Sequence, residues 1–96
     1  MKKINLYKLV SREVSEILEH HFFEFKIGED TIESSVVINF SKPLFGEDFG
    51  YAKECLSTAS YFIERTIGLN RKPRFAFIDP CTATFEKAFL DSDFLQ

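Results

Sequence analysis

Residues 23–40 read FEFKIGEDTIESSVVINF, and apolar side chains alternate with polar ones in both halves of this segment. Alternation with a period of two is typical of β-strands that bury one face. Gly28-Glu29-Asp30, between the two halves, has the composition of a turn. We therefore predict an antiparallel hairpin, which ends before Pro43 and Gly46.

Two amphipathic helices are predicted on either side of this hairpin. Before it, apolar residues recur at helical spacing between Asn5 and His20, with charged residues on the opposite face. After it, the strongest helical pattern runs from Asp48 to Ile67 and is followed by Gly68, a residue suited to a left-handed C-terminal cap. An alternative for the first segment is a strand from Lys3 to Val10, with Ser11 as the N-cap of a shorter helix.

The last third of the chain contains one predicted strand and one element with two interpretations. After a loop over residues 70–73, Arg74 to Ile78 forms a mostly apolar run, which indicates a strand buried on both faces. Asp79-Pro80 is compatible with a closing helix that has Pro80 at its first position. It is equally compatible with a type I turn into a fourth strand.

The predicted order is α-β-β-α-β plus a short C-terminal helix or strand. We expect a two-layer α+β fold, in which two main helices cover one face of a small antiparallel or mixed sheet of three to four strands. A strand from Lys3 to Val10 would instead give the β-α-β-β-α-β order of a ferredoxin-like fold. The 96 residues suit a single domain over residues 1–96.

The composition restricts the partners and the cellular compartment. Twelve Phe and three Tyr are many for a core of this size, so part of this aromatic surface is a candidate docking patch. A net charge of −3 disfavours nucleic acid as the partner. Cys55 and Cys81 form no CxxC motif, and neither a secretory leader nor a membrane-length apolar run is evident. We therefore expect reduced thiols, no membrane association and a cytoplasmic location.

No pattern of residues identifies catalytic, cofactor-binding or metal-binding residues. His20 and His21 are adjacent, so their side chains diverge by about 100° on a helix, and we interpret them as a helix-end or surface pair. Cys81 would have a lowered pKa if it began a helix. No phosphate-binding glycine motif occurs among the four glycines.

Charge and aromatic residues suggest a binding function. Residues 28–50 contain five acidic residues and one basic residue, Lys42. We predict a non-enzymatic protein-binding module, of the inhibitor or immunity-protein type, that covers a basic partner with acidic loops and exposed aromatic side chains. The predicted contact residues are Glu29, Asp30, Glu33, Glu47, Asp48, Phe45, Phe49 and Tyr51.

The alternative is a small-ligand-binding or enzymatic domain. Its pocket would lie between the sheet and the helices, with His20, His21 or Cys81 as the reactive groups. Self-association into a homodimer is compatible with both functions, because excess aromatic surface and a free sheet edge both favour it.

Overall fold

A computed structural model describes residues 6–30, 35–67 and 73–85 of the chain. Its elements follow in the order α-β-β-α-β-β, which confirms the predicted α+β fold. The ferredoxin-like alternative is wrong, because Leu6 to Val10 form the first turns of a helix. The elements are α1 (Leu6–His20), β1 (Phe25–Asp30), β2 (Ser35–Phe40), α2 (Gly46–Ile67), β3 (Phe75–Asp79) and β4 (Thr82–Phe85).

The four strands form one antiparallel sheet with the order β1-β2-β4-β3. Phe25 pairs with Phe40 at one end of the β1–β2 ladder, and Asp30 pairs with Ser35 at the other. We call these the Phe40 end and the hairpin end of the sheet. Helix α1 finishes just before the Phe40 end, and α2 begins just after it. Loop residues next to both helices therefore meet at the Phe40 end.

The core lies between the helices and one face of the sheet. Both helices bury residues three or four positions apart, as their sequence patterns predict. Each buried Val, Leu, Ile or Phe contributes about 1.5–3 kcal/mol relative to an exposed one. The other face of the sheet exposes Lys26, Asn39 and Ala76. The core residues include Val10, Val14, Leu18, Val36, Ile38, Ala52, Leu56, Ala59, Ile63, Ala83 and Phe85.

The β1–β2 hairpin is confirmed, but its turn is not where the composition placed it. Gly28, Glu29 and Asp30 belong to β1 and pair with Val37, Val36 and Ser35. Pairing across the ladder outweighs the turn preference of these three residues. The connection falls in residues 31–34, which lie outside the described residues, as do the predicted Gly68 cap and the loop over 70–72.

Strand β3 is not buried on both faces, as its apolar run had indicated. In the described part of the chain it pairs with β4 alone, so it lies at an edge of the sheet. Phe75 and Phe77 are half-buried on the core face, whereas Ala76 and Ile78 are exposed. A register shift between Phe77 and Asp79 places a β-bulge at Ile78.

The closing element is a strand up to Phe85, so a helix that starts at Pro80 is wrong. Asp79 pairs with Thr82, and Pro80-Cys81 form the two-residue turn between them. The Cys81 amide donates to Oδ1 of Asp79 at 2.8 Å. This side-chain bond stabilises a local turn and competes with helix initiation. Residues 86–96 lie outside the described part of the chain.

Candidate functional site

The end of α1 contains the most unusual backbone conformation in the described residues. The Phe22 amide donates to the carbonyl of Glu19 at 3.0 Å, and the Phe23 amide donates to that of Leu18 at 3.0 Å. These two bonds form a Schellman motif, whose C′ residue has a positive φ and is usually glycine. Here the residue is Phe22, with φ of 64°. A left-handed conformation costs a residue with a Cβ roughly 1–2 kcal/mol.

The Phe22 side chain does not offset this cost by packing. It is 93% exposed, the most exposed of the large hydrophobic side chains in the described residues. Glycine at this position would relieve the backbone strain and would remove the exposed ring. Strain at an exposed aromatic residue therefore marks a candidate binding position, since such outliers concentrate at functional sites.

The start of α2 brings a second exposed ring to the same end. The carbonyl of Phe45 accepts the amides of Asp48 at 3.2 Å and Phe49 at 3.4 Å, which begins the helix. Gly46 follows with φ of +56°, a conformation that suits glycine. The Phe45 ring is 67% exposed. The chain thus turns sharply into α2 and leaves Phe45 facing solvent.

A contact between the two helices fixes this end of the molecule. The hydroxyl of Tyr51 in α2 is hydrogen-bonded to Nδ1 of His21 after α1. The Tyr51 ring also lies 5.8 Å from that of Phe23, centroid to centroid. Tyr51 nevertheless stays 43% exposed. It is therefore held in place on one side and remains available to a partner on the other.

A cavity of about 240 Å³ opens among these residues. Phe22, Phe23, Glu24, Lys42 and Asp48 line it, together with the neighbouring residues of both loops. Pockets for drug-sized ligands take roughly 300–1,000 Å³, so this one is small for such a ligand. Phe22 borders the same cavity as Glu24 and Asp48. We define the aromatic–acidic surface as Phe22, Glu24, Phe45, Glu47, Asp48 and Tyr51.

The predicted acidic contact residues separate into two groups. Glu47 and Asp48 are exposed in the first turn of α2, beside Phe45 at the Phe40 end. Glu29 is exposed near the hairpin end, four residues along β1 from Phe25. At about 3.3 Å per residue, Glu29 lies roughly 13 Å from the Phe40 end. Glu33 lies outside the described residues, and only the backbone of Asp30 is described.

Among the predicted aromatic residues, Phe49 differs from Phe45 and Tyr51. Its ring lies 4.7 Å from that of Phe77, and it packs against the core. Lys53 Nζ lies 5.4 Å from the centroid of the same ring. Phe49 is half-buried. Much of its surface is therefore used inside the molecule, and Phe45 and Tyr51 offer more to a partner.

Sequence reasoning missed Phe22 and Glu24. The alternation of Phe23, Phe25 and Ile27 places these three on one face and leaves Phe22 out of phase. Phe22 also stands where α1 ends without a glycine. These two signals together would have pointed to an exposed ring, although the positive φ is visible only in the structure.

Cys81, His20 and His21 are less favourable for catalysis or metal binding in the structure than the sequence suggested. Cys81 lies in a turn instead of at a helix start, and burial raises the pKa of its thiol, with a further rise from Asp79. The rings of His20 and His21 meet edge to face at 5.2 Å. In the described ranges, no three His, Cys, Asp or Glu side chains are grouped to hold a metal ion.

Comparison with family models, with curated proteins and with solved structures found no match to this chain. In the described residues, neither helix is both long enough and apolar enough to cross a membrane.

Proposed function

We propose that this chain is a non-enzymatic protein-binding module, of the inhibitor or immunity-protein type, that covers a basic partner. The contact is the aromatic–acidic surface at the Phe40 end. The observation that carries the proposal is Phe22, which combines 93% exposure with a strained φ of 64°. Neither property helps the chain to fold, and together they suit an anchor that a partner buries.

The charges around the anchor favour a basic partner. Glu24, Glu47 and Asp48 are exposed beside the two rings, and Lys42 is the basic residue at the cavity. Three acidic groups against one basic group leave a local charge of −2. Such a field raises the rate at which a positively charged partner arrives, and this gain is screened by salt.

The predicted acidic residues of the hairpin also belong to the proposed binding of a basic partner. Glu29, Asp30 and Glu33 of the hairpin contribute to long-range attraction, because the hairpin end is remote from the anchor rings. We further propose a cytoplasmic location and a protein partner in preference to nucleic acid. Homodimerisation is a separate proposal, because it uses a different surface of the molecule.

The alternative function is small-ligand binding or catalysis, and the cavity beside His21 is the observation that favours it. Its volume of about 240 Å³ leaves room for a small ligand only. Cys81, one of the reactive groups that this alternative would use, has a raised thiol pKa. A thiolate is the reactive form of cysteine, so this environment disfavours nucleophilic catalysis. Protein binding is therefore the stronger proposal.

Two charge reversals, at exposed Glu24 just before β1 and at exposed Glu29 within β1, test the proposed function. The wild-type protein, immobilised, is used to capture its partner from a lysate of the source cells, and the association rate is then measured at low salt. Glu24→Lys should slow association several-fold, since it reverses a charge at the anchor. Glu29→Lys, the matched control at the hairpin end, should have a smaller effect.

Equal effects of Glu24→Lys and Glu29→Lys would contradict the placement of the contact at the Phe40 end. Failure of the wild-type protein to form any stoichiometric complex with a basic protein would contradict the function itself. Urea unfolding of both variants ensures that the comparison is made between folded proteins.

A further inference from the structure

Strand β3 lies at an edge of the sheet and is mostly apolar. Its sequence, Phe75-Ala76-Phe77-Ile78, contains no charged residue between Arg74 and Asp79. Ile78 is 67% exposed, and Ala76 is exposed on the same face of the sheet. In the described part of the chain, β4 is the only strand that pairs with β3. The outward backbone groups of β3 therefore form a template for another strand.

The opposite edge of the sheet has a different character. Strand β1 carries exposed Lys26 at its second position, and Glu29 and Asp30 at its end. Gly28 further lowers its strand propensity. Charges and glycine are the usual devices that keep an edge strand from pairing with another chain. In the described residues, charged side chains and a glycine protect β1, whereas β3 has a bulge at Ile78 and one charged residue, Asp79, at its end.

Helix α2 runs along the inner side of the same edge. Phe49 in its first turns contacts Phe77, and the hydroxyl of Ser60, further along the helix, donates to the carbonyl of Pro73 before β3. Between these contacts, Gly50, Lys53 and Ser57 line a shallow, open groove. A partner that pairs with β3 would therefore also meet this face of α2.

We propose that a second copy of this chain pairs with β3 in antiparallel orientation, about a two-fold axis at Ala76. In this register Phe75 of one copy opposes Phe77 of the other on the core face. Arg74 opposes Ile78 of the second copy on the outer face. Side chains that alternate across strands keep to the same face in such a pair, so each half-buried ring gains an aromatic neighbour.

Charge complementarity indicates a second copy in preference to an unrelated strand. The two ends of β3 carry opposite charges, Arg74 before the strand and Asp79 at its end. Antiparallel pairing places the start of one strand against the end of the other. Each Arg74 guanidinium therefore comes near the Asp79 carboxylate of the second copy, while its aliphatic stem covers the exposed Ile78.

The area needed for a stable dimer requires α2 as well as β3. Specific interfaces bury at least about 1,000 Å² in total, which is more than two five-residue strands provide. The groove beside β3 supplies the additional surface, and the two α2 helices approach across the two-fold axis. Lys53 and the adjacent Glu54 are exposed on this face, so each helix presents both charges to its symmetry mate.

The first test is the mass of the free protein in solution. Sedimentation velocity of the full chain between about 1 and 100 μM should show a species of twice the monomer mass. Ile78→Lys places a charge in the pairing edge and should raise the dissociation constant by roughly ten-fold or more. Lys26→Glu changes an exposed charge on the other edge strand and should leave the dissociation constant unchanged.

A second test reports the register. Residues that oppose each other in an antiparallel pair have Cα atoms about 4.5–5.5 Å apart, within the range that a disulfide spans. Ala76→Cys should therefore form an intermolecular disulfide under mild oxidation. Lys26→Cys, at a position on β1 that is also exposed, should remain mostly reduced. Both sites are exposed, so neither change removes core contacts, and circular dichroism checks the fold of each variant.

A monomeric wild-type protein over this concentration range would overturn the proposal. Equal cross-linking of Ala76→Cys and Lys26→Cys would overturn the β3 interface even if a dimer is found. Neither result bears on the binding of a basic partner, because the aromatic–acidic surface shares no residue with the β3 edge or with the groove on α2. The two proposals therefore fail independently.

Discussion

At the scale of single residues, the structure favours a binding role for Phe22 and disfavours a nucleophilic role for Cys81. Phe22 stays exposed at a position where glycine would relieve strain, so its ring is expected to act outside the molecule. Cys81 has a reactive side chain, but its surroundings disfavour the reactive form. Exposure and strain make Phe22 a candidate contact residue, and the raised thiol pKa makes Cys81 a less favourable nucleophile.

The thiol of Cys81 should react slowly at neutral pH. Burial raises its pKa above that of an ordinary cysteine, and Asp79 adds to this rise. Because only the thiolate reacts, the alkylation rate should stay low until the pH exceeds the normal cysteine range. Rates measured with iodoacetamide from neutral to alkaline pH, with Cys81→Ser as the blank for buried Cys55, test this expectation.

Asp79→Asn tests whether the charge of Asp79 raises the thiol pKa of Cys81. Removal of the carboxylate lowers the thiol pKa, so the variant should react faster than the wild type at the same pH. Rapid alkylation of the wild type near pH 7 would contradict the assigned environment and would support a nucleophilic role for Cys81.

At the scale of secondary-structure elements, the sequence predicts the long, periodic segments well. Both helices and the β1–β2 hairpin follow from spacing, because one buried face dictates the pattern. Two of the incorrect inferences arise where tertiary contacts outweigh local sequence preferences. Gly28-Glu29-Asp30 were assigned to a turn but pair with β2, and the apolar β3 was assigned to the interior but lies at an edge. Strand order is a long-range property that single-segment patterns do not contain.

The start of α2 provides a pair of glycines for a test of its conformation. Gly46 has φ of +56°, so Gly46→Ala should lower the free energy of unfolding by about 1 kcal/mol. Gly50 lies inside the helix without a positive φ, and a Cβ there meets no atom within 4 Å. Gly50→Ala should therefore raise the free energy of unfolding by roughly 0.5–1 kcal/mol.

Urea unfolding followed by far-UV circular dichroism measures both changes. A Cβ added at Gly46 would also meet no atom within 4 Å, so the cost of Gly46→Ala arises from the backbone and not from a clash. Equal effects of the two substitutions would contradict the left-handed turn into α2.

At the scale of the whole molecule, the fold decides which of the predicted contact residues lie together. Phe45, Glu47, Asp48 and Tyr51 share the Phe40 end, while Glu29 lies at the hairpin end. The sequence indicated an acidic, aromatic surface but could not show which acids meet, since that depends on strand register and helix placement. Phe22 joins this surface because α1 ends beside the start of α2.

We propose that the chain keeps Phe22 exposed for contact with a partner, at a cost in stability. Phe22→Gly removes both the ring and the strain, so the free energy of unfolding should rise by about 1 kcal/mol. Phe22→Ala removes the ring but keeps the strained backbone, so its stability should stay within about 0.5 kcal/mol of the wild type.

The affinity of the captured basic partner for these two variants is the most direct measurement. Titration calorimetry should show that both substitutions weaken binding by roughly ten-fold or more, since each removes the anchor ring. Phe22→Gly would then be more stable than the wild type and would bind the partner more weakly. Wild-type affinity in Phe22→Gly and Phe22→Ala, measured on folded protein, would contradict the claim that Phe22 is a binding anchor.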